Sequence, residues 1–187
     1  MTPKFNNKYR IASARLQGWD YRWSSAYFIT ICTDDKLHFF GEIENGKMLL
    51  SPIGAIADVL WQGIKNHLKN VRLGEFVVMP NHIHGILILE NDDSDTVVET
   101  FHETSLRTDI KNEFMSKISP KSGSVSTIIR SYKSAMTGHC NRLGLRFKWQ
   151  TRFHDHIIRD EKSFDSISDY IRHNPQNWGK DKFYNYK

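Results

Sequence analysis

The chain has 187 residues, of which 39% are hydrophobic and 12% aromatic, and its formal net charge is +5. This length and apolar content suit one domain with a real core and exclude wholesale disorder. The modest positive charge fits a polyanionic partner such as nucleic acid without requiring one. The two cysteines are far apart and in no metal-ligand spacing, which indicates free thiols of a reducing compartment. Neither a signal-peptide core nor an apolar run of about 18 residues occurs, so we expect a cytoplasmic protein that does not span a membrane.

The first part of the chain predicts an arm, a strand, a hairpin and a helix. Residues 1–20 are basic and polar and form the arm. Residues 24–33 are rich in β-branched and aromatic side chains, which indicates a buried strand. An Asn-Gly turn signal within 36–51 predicts a hairpin. Apolar residues at helical spacing then predict a helix over 51–68, with Ser51 as its N-cap.

The middle of the chain predicts a second hairpin followed by a long connection. Residues 75–79 and 82–90 read as strands joined by a Pro-Asn turn. Residues 91–120 read as a long acidic and polar loop, and loops of this length tend to be functional or disordered. A helix is predicted over 124–144, since a glycine stands at its end.

The last part of the chain completes the fold prediction. We expect a strand within 147–159, a helix over 160–175 that a proline ends, and a tail over 176–187. The order βα-ββ-αβ predicts an α+β fold with a ferredoxin-like antiparallel β-sheet and helices packed on one face. The arm, the hairpin and the tail are additions to it, and residues 1–187 form one domain.

Two histidines stand one residue apart in the strand that begins at residue 82. Alternate side chains of a strand share a face, so the imidazoles of His82 and His84 point the same way and could reach one metal ion. The pattern alone is weak, because His154 and His156 have the same spacing and solvated or structural histidines are common. A histidine-triad nucleotide hydrolase is excluded, since the third alternating position is Ile86.

The last predicted helix carries a tyrosine beside its apolar face. Phe164, Ile167 and Ile171 follow helical spacing and define the buried side. Tyr170 and Asn174 lie one turn apart on the flank of that side. They can therefore face the sheet together and offer a phenol and an amide oxygen to a site there.

Three segments together carry a resemblance to a known family. They are "VVMPNHIHGILIL", "IIRSYKSAMT" and "WQTRFHDHIIRDEKSFDSISDYIRHNPQNW". In this order they resemble the single-tyrosine transposases of the HUH (His-hydrophobic-His) endonucleases, in particular the REP-associated tyrosine transposases. The resemblance runs from about residue 22 to residue 178.

The resemblance implies an activity and a site. His82 and His84 match the metal-binding pair, Asn174 the third, polar metal ligand, and Tyr170 the nucleophile. The implied metal is Mg²⁺ or Mn²⁺. The implied enzyme nicks single-stranded or hairpin DNA, forms a 5′-phosphotyrosine intermediate with a free 3′-OH, and transfers the strand. His156 matches a position that could assist proton transfer or contact phosphate, although a structural role is an equal alternative. Relatives act as monomers or homodimers, and both states stay open.

A basic stretch of the chain is the candidate surface for DNA. Residues 121–162 contain nine Lys and Arg against three Asp and Glu, with aromatic residues between them. Basic side chains bind phosphates and aromatic rings stack on unpaired bases. The candidate DNA-binding residues are Arg130, Lys133, Arg152, Arg159 and Trp149. Trp149 could equally be a core residue.

Three alternatives remain at this stage. Tyr132 is a rival nucleophile, but Met136 stands one turn on, where a ligand is needed. The chain could be a catalytically inactive, domesticated DNA-binding protein on the same fold, although all four site positions are filled. An RNA-binding module of the RRM type is disfavoured because no aromatic-rich RNP-like strand appears.

Overall fold

The computed structural model describes residues 18–90 and 122–184, together with the backbone of two short paired strands, β1 (Lys4–Phe5) and β2 (Lys8–Tyr9). The loop predicted at 91–120 and most of the arm predicted at 1–20 lie outside the described residues. The other strands are β3 (Ser25–Cys32), β4 (Gly41–Glu44), β5 (Lys47–Leu50), β6 (Val71–Met79), β7 (His82–Leu89) and β8 (His154–Ile158). The helices are α1 (Pro52–His67), α2 (Val125–Arg142) and α3 (Glu161–His173), and short 3₁₀ turns cover Asp34–Lys36 and Pro175–Lys180.

The main sheet has four antiparallel strands in the order β6-β7-β3-β8. The chain visits them as β3-α1-β6-β7-α2-β8, which gives the ferredoxin-like topology. The α+β prediction is thereby confirmed. The strand β7 is central, with β6 on one side and β3 on the other, so its backbone is held from both edges.

Local chemistry explains where the predicted elements begin. The Ser51 side chain caps α1 by accepting a hydrogen bond from the Gly54 backbone amide at 3.1 Å. The predicted hairpin is β4-β5, and its two turn residues, Asn45 and Gly46, have φ angles of 51° and 73°. Asparagine and glycine are the residues that tolerate such a left-handed turn.

One face of the sheet is covered by α1 and α2 over the main core. Tyr27, Ile83 and Leu87 point into this core and are fully buried. Helix α1 approaches β7 closely at Gly85, where an added Cβ atom would lie 2.3 Å from Cζ2 of Trp61. A glycine is therefore required at this position of the strand.

The opposite face is covered by α3, through a smaller cluster that includes Ile86, Ile158 and Ile171. We expected all helices on one face of the sheet. Helices α1 and α2 do share a face, but α3 lies on the other one. The reason lies in the sequence of β7, which is apolar at nearly every position and is therefore buried on both sides. Helix α3 covers this second face of β7. It packs through Phe164, Ile167 and Ile171, the apolar side that its periodicity predicts.

The chain after α3 packs against the domain. The sequence predicts a tail over 176–187, but the 3₁₀ turn Pro175–Lys180 buries Trp178, which is 7% exposed. The Trp178 ring lies 5.9 Å from the His82 ring, centroid to centroid. This segment therefore forms part of the histidine-bearing face.

Among residues 18–90 and 122–184, none of the helices combines the length and apolar character that a membrane crossing needs.

Candidate active site

The two histidines of β7 form the base of a buried site. His82 and His84 are 0% and 1% exposed, and their ring centroids are 4.5 Å apart. Their side chains share the sheet face that α3 covers, as the alternation of the strand predicts. Because β7 is central, the pair is held rigidly, which a metal site needs.

Each imidazole uses its Nδ1 atom for a hydrogen bond within the protein. His82 Nδ1 lies 2.9 Å from Oδ1 of Asn81, and His84 Nδ1 lies 2.9 Å from Oγ1 of Thr30 on the neighbouring strand. His82 Nε2 is buried and has no hydrogen-bond partner among the described residues. Because Nδ1 is used in this way, the Nε2 atom of each ring is directed away from the strand, where it can act as a metal ligand.

Helix α3 brings the predicted tyrosine to the histidine pair of the same chain. The Tyr170 hydroxyl oxygen lies 3.2 Å from Nε2 of His84, although the side chain is still 43% exposed. Asn174 lies one turn further on and is buried, with its Oδ1 atom lacking a partner among the described residues. The flank of Tyr170 and Asn174 therefore covers the histidine face, as the helical spacing indicated.

The sequence reasoning missed a carboxylate that lies between these groups. Oδ2 of Asp181 accepts hydrogen bonds from the Tyr170 hydroxyl at 3.3 Å and from Nδ2 of Asn174 at 3.1 Å. Candidate ligand atoms of His82, His84 and Asp181 all lie within 4.8 Å of one another. Asp181 follows the 3₁₀ turn after α3, in the stretch predicted to be a tail.

Burial sets the protonation states of the site. Burial and the neighbouring His84 keep the pKa of His82 well below its ordinary value. Burial lowers the pKa of His84 to about 4. Both imidazoles are thus neutral near pH 7, which is the form that binds metals. Burial and the Asp181 carboxylate raise the pKa of Tyr170 to about 12, so its hydroxyl keeps its proton in the metal-free protein.

These residues fit a divalent cation. Two imidazole nitrogens, a carboxylate and a buried amide oxygen that no described residue contacts by a hydrogen bond are a donor set for Mn²⁺ or Mg²⁺. The lone buried Nε2 of His82 and Oδ1 of Asn174 would otherwise carry a desolvation cost of about 1–3 kcal/mol each. A cation bound among them would remove that cost and would favour the ionised form of the Tyr170 phenol.

The second histidine pair lies on the same sheet face but nearer its edge. In the register of β3 with β8, His154 is opposite Thr30 and His156 is opposite Phe28. Both histidines are exposed. The Phe28 ring packs against His84 with 5.0 Å between centroids. Strand β3 therefore separates His156 from the His82 and His84 pair.

The rival tyrosine belongs to the core on the opposite face. Tyr132 is 4% exposed, and its hydroxyl donates a hydrogen bond to the Ala57 carbonyl at 2.9 Å. Burial raises its pKa well above the ordinary value. A phenol held in this way has no route to a DNA strand.

Two of the candidate DNA-binding residues are engaged inside the protein. Trp149 is 8% exposed, and its ring packs against Phe40 and Phe147. This burial favours the alternative that Trp149 is a core residue, since stacking on a base needs an open ring face. The Lys133 ammonium donates to the Gln150 carbonyl at 2.6 Å and so holds the chain before β8.

The remaining basic candidates are exposed at several places. Arg130 lies on α2, which covers the face opposite to the histidine pair, while Arg152 and Arg159 flank β8 at its two ends. Two lysines that sequence reasoning did not select lie nearer the site. Lys36 and Lys182 place their ammonium groups 5.5 and 4.9 Å from the centre of the Phe183 ring.

A signal for these missed residues was present in the last twelve positions of the sequence. Residues 176–187 contain Trp178, Phe183, Tyr184 and Tyr186, which is a dense set of aromatics for a solvated tail. Aromatic side chains contribute large apolar areas and are usually packed. Their density indicates a segment that folds back onto the domain, and Asp181 lies within it.

The fold and the site together define an α+β domain with a ferredoxin-like sheet and a His-x-His pair facing a tyrosine on a helix. In comparisons with known proteins, no family model matches the chain. An uncharacterised protein of Haemophilus influenzae Rd is 33% identical over 189 residues, which span 98% of this chain and 99% of that protein. The chain belongs to the same family as this Haemophilus influenzae protein.

One solved structure shares the fold over most of the chain. The structure of a REP-associated tyrosine transposase bound to a REP hairpin matches with a TM-score of 0.57 and 21% identity, over 92% of this chain and 77% of that one. The resemblance predicted from the sequence is thereby confirmed at the level of the fold. A candidate transposase of Deinococcus radiodurans R1 matches at a TM-score of 0.40 and 13% identity, over 86% of this chain and 96% of that one.

Proposed function

We propose that the protein is a metal-dependent DNA-nicking and strand-transfer enzyme with Tyr170 as its nucleophile. The observation that carries this proposal is the position of the Tyr170 hydroxyl, 3.2 Å from His84 Nε2 and 3.3 Å from the Asp181 carboxylate. A tyrosine between a neutral imidazole and a carboxylate can lose its proton when a cation is present beside it. The fold likeness to a REP-associated tyrosine transposase, described as bound to a REP hairpin, supports the choice of DNA as substrate.

The proposed cation is Mn²⁺ or Mg²⁺, held by His82, His84 and Asp181 with the Asn174 amide oxygen beside them. When bound, a divalent cation supplies Lewis-acid polarisation of a phosphate and neutralises the charge that develops on it. Two nitrogen ligands favour Mn²⁺ on affinity, whereas cellular abundance favours Mg²⁺.

In the proposed cleavage step, Asp181 is the proton acceptor and Tyr170 is the nucleophile. Oδ2 of Asp181 is placed to accept the proton of the Tyr170 hydroxyl. The Tyr170 oxygen forms a bond to phosphorus while the bond from phosphorus to the 3′ oxygen breaks. That oxygen takes the proton held by Asp181 and becomes a free 3′-OH, and the 5′ phosphate stays joined to the tyrosine. A second 3′-OH can then lose its proton to Asp181 and attack phosphorus, which rejoins a strand as the bond from phosphorus to Tyr170 breaks. The released tyrosine oxygen takes the proton from Asp181.

The exposure of the site suits a single strand or the end of a hairpin. Tyr170 is 43% exposed, so a phosphate can reach its hydroxyl from solvent. Lys36 and Lys182 lie over Phe183 at the edge of the site, and we propose that they contact the DNA backbone. Arg152 and Arg159 are exposed beside β8 and extend the proposed surface.

The proposed enzyme is a single domain, and its site is built from one chain. Tyr170 meets the His84 of its own chain, which supports action without exchange of the tyrosine between partners. His156 is proposed to contact a phosphate rather than to move a proton, because it is exposed on β8 and strand β3 separates it from the pair.

The decisive experiment looks for a covalent protein–DNA adduct. The protein is incubated with end-labelled hairpin DNA that carries single-stranded flanks, with Mn²⁺, and the mixture is run on a denaturing gel. We expect an adduct in the wild type and in Tyr132→Phe, and none in Tyr170→Phe. An adduct that persists in Tyr170→Phe contradicts the nucleophile assignment. Binding of the hairpin without any adduct, across metals and substrates, supports the inactive DNA-binding alternative instead.

A further inference from the structure

The residue before the histidine pair is a buried amide with three hydrogen bonds. Asn81 is 0% exposed. Its Nδ2 group donates to the Lys36 carbonyl at 3.1 Å and to the Phe183 carbonyl at 2.9 Å. Its Oδ1 atom faces Nδ1 of His82 at 2.9 Å. Both ends of the amide are therefore hydrogen-bonded, and the three partners lie in different segments of the fold.

The two carbonyl groups decide which way the amide points. A backbone carbonyl only accepts hydrogen bonds, so the NH₂ end of Asn81 must face Lys36 and Phe183. The reversed amide would place its oxygen against two other oxygens and would leave buried groups unpaired, at a cost of about 1–3 kcal/mol for each group. The orientation is thus fixed by the backbone around it.

The orientation of the amide in turn decides where His82 carries its proton. Oδ1 of an amide can only accept, so Nδ1 of His82 must be the donor at 2.9 Å. A neutral imidazole has one N–H, which leaves Nε2 with its lone pair. We infer that Asn81 is a positioning residue that holds His82 in the Nδ1–H tautomer and so presents Nε2 to a cation. The buried, unpartnered state of Nε2 among the described residues agrees with this assignment.

The other histidine is not fixed in this way. The partner of His84 Nδ1 is the hydroxyl of Thr30, which can donate or accept. The partner of its Nε2 is the Tyr170 hydroxyl, whose single hydrogen can point to Nε2 or to Oδ2 of Asp181. The pair is therefore asymmetric in its partners: an amide oxygen faces Nδ1 of His82, whereas a hydroxyl group faces each ring nitrogen of His84.

Asn81 also connects His82 to the segment that carries the carboxylate. The Phe183 carbonyl accepts from Asn81, and the Phe183 backbone amide donates to Oδ1 of Asp181 at 2.7 Å. One side chain thus holds two members of the His82, His84 and Asp181 cluster in place. Groups that orient ligands in this way typically change metal affinity about 10–100-fold when they are replaced.

The tautomer of His82 can be measured without any metal. Histidine-labelled, full-length protein with chelator present is studied by long-range ¹H–¹⁵N NMR near pH 7.5, and the His82 ring is assigned by its loss in His82→Gln. We expect a protonated Nδ1 and an unprotonated Nε2. A protonated Nε2, or averaging between the two tautomers, overturns the inference. Thr30→Val is the matched control, since it removes the partner of His84 and is expected to leave the His82 tautomer unchanged.

Variants of Asn81 then test the link to the cation, which rests on the proposed function. We expect Asn81→Leu to bind Mn²⁺ about 10–100-fold more weakly than the wild type in calorimetric titration. Asn81→Asp keeps an acceptor oxygen for Nδ1–H and is expected to bind more tightly than Asn81→Leu. Equal affinity of the two folded variants contradicts the inference.

The two readouts separate the two claims. If the wild type binds no Mn²⁺ while His82 is the Nδ1–H tautomer, the cation site fails and the role of Asn81 in fixing the tautomer stands. If Mn²⁺ binds while His82 is protonated at Nε2, the cation site stands and the inference about Asn81 fails. If Asn81→Leu does not fold, the tautomer measured in the wild type decides alone.

Discussion

The buried histidine pair makes the metal-free protein sensitive to mild acid. The pKa of His84 is lowered by burial from 6.5 to about 4. The unfolded chain therefore binds a proton in the window between these values while the folded chain does not, and stability falls as the pH falls. The contribution is fully present above pH 6.5 and is lost progressively down to pH 4.

The size of the effect follows from the same values. One unit of pKa corresponds to about 1.4 kcal/mol, so the lowering of the His84 pKa amounts to about 3 kcal/mol at the acid limit and about 2 kcal/mol at pH 5. His82 adds to the loss in the same direction, because its pKa lies well below the ordinary value. The window from pH 7 to pH 5 lies above the range in which carboxyl groups usually take up protons.

The assay is urea unfolding, followed by tryptophan fluorescence at pH 7 and pH 5 in the presence of a chelator. We expect the free energy of unfolding of the wild type to fall by about 2 kcal/mol or more between the two pH values. In His84→Gln the fall is expected to shrink by about 2 kcal/mol. His156→Gln is the control, since it removes an exposed histidine of the same sheet face. A His84→Gln variant that loses as much stability as the wild type would refute the reasoning.

Three other predictions concern packing, the core tyrosine and the carboxylate. Gly85→Ala sets a Cβ atom 2.3 Å from Cζ2 of Trp61. Such overpacking is expected to lower the free energy of unfolding by about 1–3 kcal/mol and to change the tryptophan fluorescence spectrum. An unchanged urea midpoint would contradict the close approach. Tyr132→Phe removes the hydrogen bond to the Ala57 carbonyl. We expect it to lower the free energy of unfolding by about 1 kcal/mol and to leave adduct formation intact. Loss of the adduct in a folded variant would argue against a purely structural Tyr132. Asp181→Asn keeps the size of the side chain and removes its charge, so we expect weaker Mn²⁺ binding by calorimetry and slower adduct formation, and wild-type values for both would remove Asp181 from the proposed site.

Much of the fold was predictable because its signals are local. The Ser51 cap, the Asn-Gly hairpin turn and the apolar spacing of α3 each depend on residues within one or two turns of chain. Such short-range preferences act in the same way whatever surrounds them. The placement of α3 on the second face of the sheet was not predicted, since it depends on the continuous apolar character of β7 and on which face α1 and α2 already cover.

The sequence by itself determined the identity and the spacing of the central groups. The alternation of a strand puts His82 and His84 on one face, and the turn of a helix puts Tyr170 and Asn174 on one flank, because both periods are properties of the backbone. Only the tertiary structure decided that this flank meets that face, with the Tyr170 hydroxyl 3.2 Å from His84. It also decided that Asp181 joins them from the chain that follows α3. No local period relates residues that are about a hundred positions apart, so their meeting depends on how the layers pack.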